Sequence, residues 1–254
     1  MIKAITFDLW DTVIHDDSDE PKRHALGLRS KRDERRNQVW MALDRLRPID
    51  YDQVALAYDV TEAAFNRVWK SHYCTWTVRE RLRVLLNGLG RCLPDDDFVA
   101  LVEAHEQMEA NVPPDLVPGM ADVIATVSMS YPLAVVSDAI VSPGVDLRRI
   151  LEHHGVLNYF KGFAFSDELG HSKPHRAMFA SAAQQLGVEI DQLLHIGDRD
   201  HNDVKGSQAL GMKAILFTAT RSSDKSHTSA DAICNTAAEL PGVIETLVRD
   251  HSSP

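Results

Sequence analysis

Cysteine is scarce in this sequence: Cys74, Cys92 and Cys234 are the only three in 254 residues. They form no CxxC pair and no zinc-ligand spacing. An odd, scattered set cannot frame a fold with disulfides, so a reducing compartment is expected. Long apolar runs are missing too. No stretch approaches the ~20 residues that span a bilayer. The opening Met1-Ile2-Lys3-Ala4-Ile5-Thr6-Phe7-Asp8 shows no charged-then-apolar leader before its first acid. A cytoplasmic location, away from membranes, is the expectation. Positive charge is in deficit, with 27 Lys and Arg against 37 Asp and Glu and a net charge of −10. Nucleic-acid affinity comes mainly from Lys and Arg neutralising phosphates, so no nucleic-acid partner is expected. No repeat or low-complexity tract occurs. Ser222-Ser223-Asp224-Lys225-Ser226 reads as a loop and His251-Ser252-Ser253-Pro254 as a frayed tail.

What is present is ordinary globular material, 44% hydrophobic and 25% charged. The length suits one large domain or two modest ones. Residues 2–9 are short, β-branched and aromatic, the pattern of a buried strand. The next hundred residues read as helices, with Gly88 and Gly90 stopping one and Pro94-Asp95-Asp96-Asp97 starting another. After Pro113-Pro114 strands and helices alternate. Strands are expected at residues 132–137, 162–166, 193–198 and 213–217, with an edge strand at 232–234. Helices are expected at 119–129, 144–154, 174–186, 203–210 and 237–249, with Pro174 at an early helical position. Such alternation predicts an α/β fold with a doubly wound parallel sheet. The helical block is then an insertion after the first strand. This gives a core of residues 1–14 and 115–254 and an all-helical cap of residues 15–114, with hinges near 13–16 and 112–116.

In open parallel sheets, ligands bind beyond the carboxyl ends of the strands. Four such places carry polar chemistry here: Asp8-Leu9-Trp10-Asp11-Thr12, Val136-Ser137-Asp138, Ser172-Lys173-Pro174, and Gly197-Asp198 with Asn202-Asp203. Acids, a hydroxyl and a Lys at successive strand ends are more than solubility requires, because buried carboxylates need partners.

The set resembles the haloacid dehalogenase superfamily of hydrolases, in its phosphatase-like branch with a helical cap after the first motif. Ile5-Thr6-Phe7-Asp8-Leu9-Trp10-Asp11-Thr12 is similar to the first motif at all but one position. Ser137, Lys173 and the acidic cluster from Asp198 to Asp203 resemble the second, third and fourth. Order and intervals agree over essentially the whole chain.

The resemblance implies an Mg²⁺-dependent phosphatase acting on a small phosphorylated metabolite. Asp8 is then the nucleophile that forms an aspartyl-phosphate. Lys173 supplies fixed positive charge, and Ser137 and the backbone at Asp138 hold phosphate oxygens. Trp10 and Lys173 complete the substrate-binding set. Asp8, the Trp10 carbonyl, Asp198 and Asp203 form the metal set, since Mg²⁺ prefers oxygen ligands. The implied assembly is a monomer or homodimer.

Trp10 is the departure. Phosphatases of this family usually carry an acid there to protonate the leaving alkoxide, help worth ~10²–10⁴ in rate. Dehalogenase members lack the acid too, because halide leaves without a proton. A metal-independent 2-haloacid dehalogenase working through an aspartyl ester is therefore the main alternative, and a phosphonate hydrolase using a cap Lys is another, with Lys22, Lys31 and Lys70 as candidates. Dehalogenases give up the first acid of the fourth motif, whereas Asp198, Asn202 and Asp203 are all present here. His201, in the metal loop, is a spare proton donor whose plainer reading is a solvated loop residue. Lys22, Arg23, His24, Arg29, Lys31, Arg32, Arg35 and Arg36 crowd one segment. They read as a solvated face offsetting nearby acids, with reach toward an anionic substrate as the sharper reading.

Overall fold

Short apolar runs flanked by glycine, proline and acids become strands because both of their faces can be covered. The computed structural model describes residues 1–250 and places six strands in one sheet. They are β1 (Ala4–Phe7), β2 (Leu133–Ser137), β3 (Phe160–Phe165), β4 (Leu193–Gly197), β5 (Lys213–Phe217) and β6 (Ala232–Cys234). The order is β3-β2-β1-β4-β5-β6, and every neighbouring pair is parallel. β1, β2 and β4 are buried along their whole length. The chain winds outward from β1 in one direction and then, from β4, in the other. The carboxyl ends of β1 and β4 therefore flank the point where the winding reverses, where a parallel sheet opens a crevice.

Between β1 and β2 come α1 (Asp19–Ala25), α2 (Lys31–Asp44), α3 (Tyr51–His72), α4 (Val78–Gly88), α5 (Asp95–Glu106), α6 (Met108–Asn111) and α7 (Met120–Ser128). Their starts follow local chemistry. Ser30 accepts from the Asp33 N–H to cap α2, and Thr77 with Glu80 forms a reciprocal capping box on α4. Helices α2 to α5 bury their own apolar cluster, including Val39, Leu43, Val54, Leu82, Leu85, Phe98 and Leu101. The larger cluster lies against the sheet around Phe7, Ile124, Leu147, Phe165 and Phe217. The two connections to the helical block run side by side. His15 N–H donates to the Asp115 carbonyl and Val117 N–H to the Val13 carbonyl, both at 2.9 Å. They make a two-stranded joint rather than two free linkers.

The later helices are α8 (Gly144–His153), α9 (Ser166–Leu169), α10 (Arg176–Leu186), α11 (Gly206–Gln208) and α12 (Leu240–Asp250). Three local expectations are corrected. Pro174 precedes α10 rather than opening it; His175 is the N-cap and accepts from the Ala177 N–H. The segment expected as a helix from 203 starts instead as a π-helical turn at Asp200–Lys205, a form frequent at functional sites. The last α-helix starts at Leu240, after a 3₁₀ turn over Ala237–Glu239. The short α9 has no period long enough to read in sequence. The tail at 251–254 lies outside the described residues. Among the described residues no helix is long and apolar enough to cross a membrane.

One buried group of the helical block has a pH consequence. His105 is 2% exposed, and its Nδ1 donates to the Leu101 carbonyl at 2.9 Å. Burial, with the charge of Arg35 adding, pushes the ring from 6.5 down to about 3. The unfolded ring takes a proton that the folded one refuses. Stability from this group is therefore full above pH ~6.5 and is lost as pH falls toward the folded value. His105→Leu is expected to weaken this acid dependence. In urea unfolding between about pH 6 and pH 4, wild type should lose stability relative to the variant by up to ~1.4 kcal/mol per pH unit. Parallel pH profiles would refute the assignment.

Candidate active site

Asp8 is the first residue beyond β1, and its N–H donates to the Ile196 carbonyl of β4 at 2.8 Å. That bond sets the acid at the crevice. Lys173 reaches it from the loop after α9. Its ammonium lies 2.5 Å from Asp8 Oδ1 and 2.7 Å from Asp203 Oδ1, and both acids and the Lys are buried. The Lys173 N–H donates to Asp138 Oδ1 at 2.8 Å, tying the end of β2 to the same loop. Asp203 is engaged on both oxygens. Oδ1 accepts from Lys173 and, at 3.1 Å, from His195 Nε2, while Oδ2 accepts from the Arg199 N–H at 2.9 Å. A carboxylate only accepts, so Nε2 carries the His195 hydrogen and Thr6 Oγ1 bonds Nδ1 at 2.8 Å.

Glycine makes the approach possible. A Cβ on Gly197 would stand 2.3 Å from Asp203 Cγ, and one on Gly206 would stand 2.5 Å from Pro174 Cβ. The first packs β4 against the metal loop. The second packs that loop against the residue after Lys173.

Charge is unevenly settled. Burial opposes ionisation of Asp203, yet Lys173 and His195 hold its carboxyl below the usual carboxylate range. Burial pushes Asp8 up, against the pull of Lys173. Asp198 is the outlier. Both of its carboxylate oxygens are buried without a hydrogen-bond partner, and burial plus the charges of Asp203 and Asp8 push it up to about 8. Ligand atoms of Asp8, Asp198 and Asp203 lie within 4.8 Å of one another. Among the described residues no hydrogen bond reaches the Trp10 carbonyl. This all-oxygen donor set with an unmatched acid fits a hard divalent cation such as Mg²⁺.

The structure brings most of the expected residues to one cavity of about 220 Å³, lined by Asp8, Trp10, Asp138, Lys173 and Asp203 among others. Asp198 is not among the lining residues, but its ligand atom lies within 4.8 Å of those of Asp8 and Asp203. Ser137 is fully buried at the end of β2 with an unpartnered hydroxyl, and its neighbour Asp138 lines the cavity instead. Burial pushes Asp138 up to about 7, against Lys173. Asp11 does not line the cavity. It adopts a left-handed backbone, φ 56°, and its side chain accepts from the Asp16 N–H at 3.3 Å. It shapes the turn.

The basic segment divides. Arg29 pairs with Glu34, and Arg32 and Arg36 with Asp59. Lys31 and Arg35 instead line the cavity. Lys31 is buried among Asp17, Asp19 and Glu109 at 2.8–3.0 Å. Arg35 keeps two buried nitrogens without a hydrogen bond. Sequence reasoning missed Trp69, Glu109, Ser142 and Arg199 as lining residues. They sit on separate elements, and no spacing signals them. His201 is exposed, with its Nε2 3.3 Å from the Tyr73 hydroxyl.

Two buried acids sharing a buried ammonium, with Asp198 beside them, stand at the reversal of a parallel sheet. A family model described as haloacid dehalogenase-like hydrolase matches residues 2–211. The chain belongs to that family. A glyceraldehyde 3-phosphate phosphatase of Methanopyrus kandleri is 24% identical, over 98% of either chain. Among solved structures, a phosphatase of this superfamily from Thermococcus onnurineus superposes with a TM-score of 0.64 at 21% identity, covering 96% of this chain and 98% of that one. A 2-haloacid dehalogenase of Pseudomonas syringae gives 0.62 at 21%, covering 97% and 100%. At these identities the structural likenesses establish the fold alone.

Gly197→Ala tests the packing. The added methyl should push Asp203 away from Lys173 and lower stability by ~1–3 kcal/mol, the range for overpacking. A thermal melt reads the loss, and an unchanged midpoint would rule out the close approach.

Proposed function

We propose that this protein is a divalent-metal-dependent phosphomonoester hydrolase that acts on a small phosphorylated molecule through an aspartyl-phosphate. The observation that carries this reading is Asp198, a buried carboxylate with neither oxygen satisfied, beside Asp8 and Asp203. With no hydrogen bond to either oxygen, and only Arg199 and Arg221 at 3.7 Å and 3.6 Å, this buried carboxylate is costly to ionise. A cation removes that cost, and halide displacement has no use for one. The name of the Methanopyrus kandleri relative supports a small phosphorylated substrate.

Asp8 attacks phosphorus, and the bond to the leaving oxygen breaks. Lys173 holds Asp8 ionised and oriented, and faces the charge that builds on the transferring group. Water then hydrolyses the aspartyl-phosphate. A bound Mg²⁺, held by Asp8, Asp198 and the Trp10 carbonyl with Asp203 beside them, would neutralise phosphoryl oxygens. The backbone at Asp138, which lines the cavity, completes the phosphate cradle. Residues 15–114 act as a cap over a core of residues 1–14 and 115–254, excluding water from the intermediate.

The first test is p-nitrophenyl phosphate hydrolysis, whose leaving group needs no acid. Turnover should require Mg²⁺ and vanish in Asp8→Asn, an isosteric change whose effect on folding a thermal melt reads. Mg²⁺ should also raise the melting temperature, since a ligand of the native state stabilises it, and Asp198→Asn should abolish that shift. Halide release from a 2-haloacid in the presence of EDTA would support the dehalogenase reading, which Trp10 favours.

Trp10 sets a second test. With no acid at this position, log kcat/KM should fall steeply as the leaving-group pKa rises. Trp10→Asp should flatten the slope, gaining at most ~10²–10⁴ on alkyl phosphates. A flat wild-type slope, with chemistry rate-limiting, would mean that another group donates the proton. Asp16 is then the first suspect, because it lines the cavity and burial pushes its carboxyl up to about 6.

A further inference from the structure

The Asp8 cavity has a neighbour. A second chamber of about 400 Å³ shares Trp69, Lys173, Arg199 and Asn202 with it. Its other walls are Lys70 and Tyr73, at the end of α3 and just past it, and His201, Arg221 and Asp224 from the core. The two chambers differ in charge. In the first, the cations on the helical side face acids, since Lys31 contacts Asp17, Asp19 and Glu109, and Arg35 lies 4.0 Å from Glu109 with two of its nitrogens not hydrogen-bonded. In the second, Asp224 is the only acid among the lining residues, and it is bonded to Arg221 at 2.9 Å. Arg199 and Arg221 stand 3.7 Å and 3.6 Å from Asp198, ion pairs that offset part of their charge. Lys70 is exposed and makes no ion pair among the described residues. Positive charge is thus in surplus here, in a chain whose net charge is −10.

A second feature points the same way. Trp69 lines both chambers, and its buried Nε1 has no hydrogen-bond partner. It is an unused donor at the passage between them. A substrate with its phosphoryl group at Asp8 and Lys173 must extend its remaining part into one chamber or the other. On its helical side the first presents Asp16, Asp17 and Glu109 against Lys31 and Arg35, one acid more than the cations. The second presents Lys70, Arg199 and Arg221 beside aromatic faces.

We propose that the second chamber seats an anionic group on the leaving-group part of the substrate. The preferred substrates are then phosphomonoesters whose alcohol also carries a carboxylate or a second phosphate. Lys70 and Arg221 set the preference, and Trp69 adds a hydrogen bond. The inference rests on the phosphomonoester hydrolase reading.

The test uses two aryl phosphates with phenols of matched acidity. One carries a para carboxymethyl group and the other a para methyl group, so leaving-group chemistry is constant and only the distal charge differs. In the wild-type protein with Mg²⁺, kcat/KM should favour the carboxymethyl ester about ten-fold or more. The preference should shrink with added salt, which screens charges this exposed. Lys70→Gln and Arg221→Gln should each lower the ratio several-fold, and Lys70→Arg should keep it. Lys70 is exposed, so its variants report on charge rather than folding. A ratio near one, with both esters hydrolysed, overturns the proposal and leaves the hydrolase reading standing. A high ratio that neither Gln variant changes overturns the assignment to this chamber. Failure of both esters, and of p-nitrophenyl phosphate, sinks the hydrolase reading and the proposal with it.

Discussion

The ammonium of Lys173, buried between Asp8 and Asp203, is the interaction on which the rest of the site depends. Three charged side chains share a volume from which water is nearly excluded. Coulomb attraction is strong there, and so is the penalty for a missing partner, ~3–5 kcal/mol when one member of a buried pair is removed. The surrounding structure keeps the three in register. β1 presents Asp8, and His195 on β4 fixes one oxygen of Asp203 while Thr6 on β1 holds the far side of that ring. Gly197 leaves room for Asp203 to approach, and Gly206 lets the metal loop rest on Pro174. Asp198 alone of the three acids has neither oxygen hydrogen-bonded, with Arg199 and Arg221 at 3.7 Å and 3.6 Å.

The helical block adds its own electrostatics rather than a plain lid. Lys31 and Arg35 descend to the cavity wall, where Glu109, held in turn by the Ser142 hydroxyl, faces Lys31. Tyr73, Cys74 and Thr75, between α3 and α4, are joined by backbone bonds to Gly170, His171 and Ser172. That contact lies immediately before Lys173. The block therefore touches the catalytic loop directly as well as through the paired strands at residues 13–15 and 115–117.

Much of the fold was legible in the sequence. Ala4–Phe7 and Leu133–Ser137 are runs too short and too apolar to be anything but covered strands. Their alternation with helices leaves a parallel winding as the ready topology. Helix starts were legible where a capping residue stood in place, as at Thr77. They failed where geometry beyond the local chain decides. The turn at Asp200–Lys205 takes π-helical form while Asp203 folds back onto Lys173. Pro174 stands outside its helix because the chain must first deliver Lys173 to Asp8.

The sequence by itself singled out the side chains proposed to carry the chemistry. Asp8, Lys173, Asp198 and Asp203 follow strands or open loops in a fixed order, and the strand pattern sends each to the same edge of a parallel sheet. Tertiary structure alone decided how charge is shared among them and around them. It selected Lys31 and Arg35 from a row of similar cations, placed Asp138 rather than Ser137 on the cavity wall, and left Asp198 without a hydrogen bond to either oxygen. It also set a cationic chamber beside an acidic one. The reason is physical: a residue's identity is written locally, whereas its burial, its partner and its remaining charge depend on atoms brought near by the fold from distant parts of the chain.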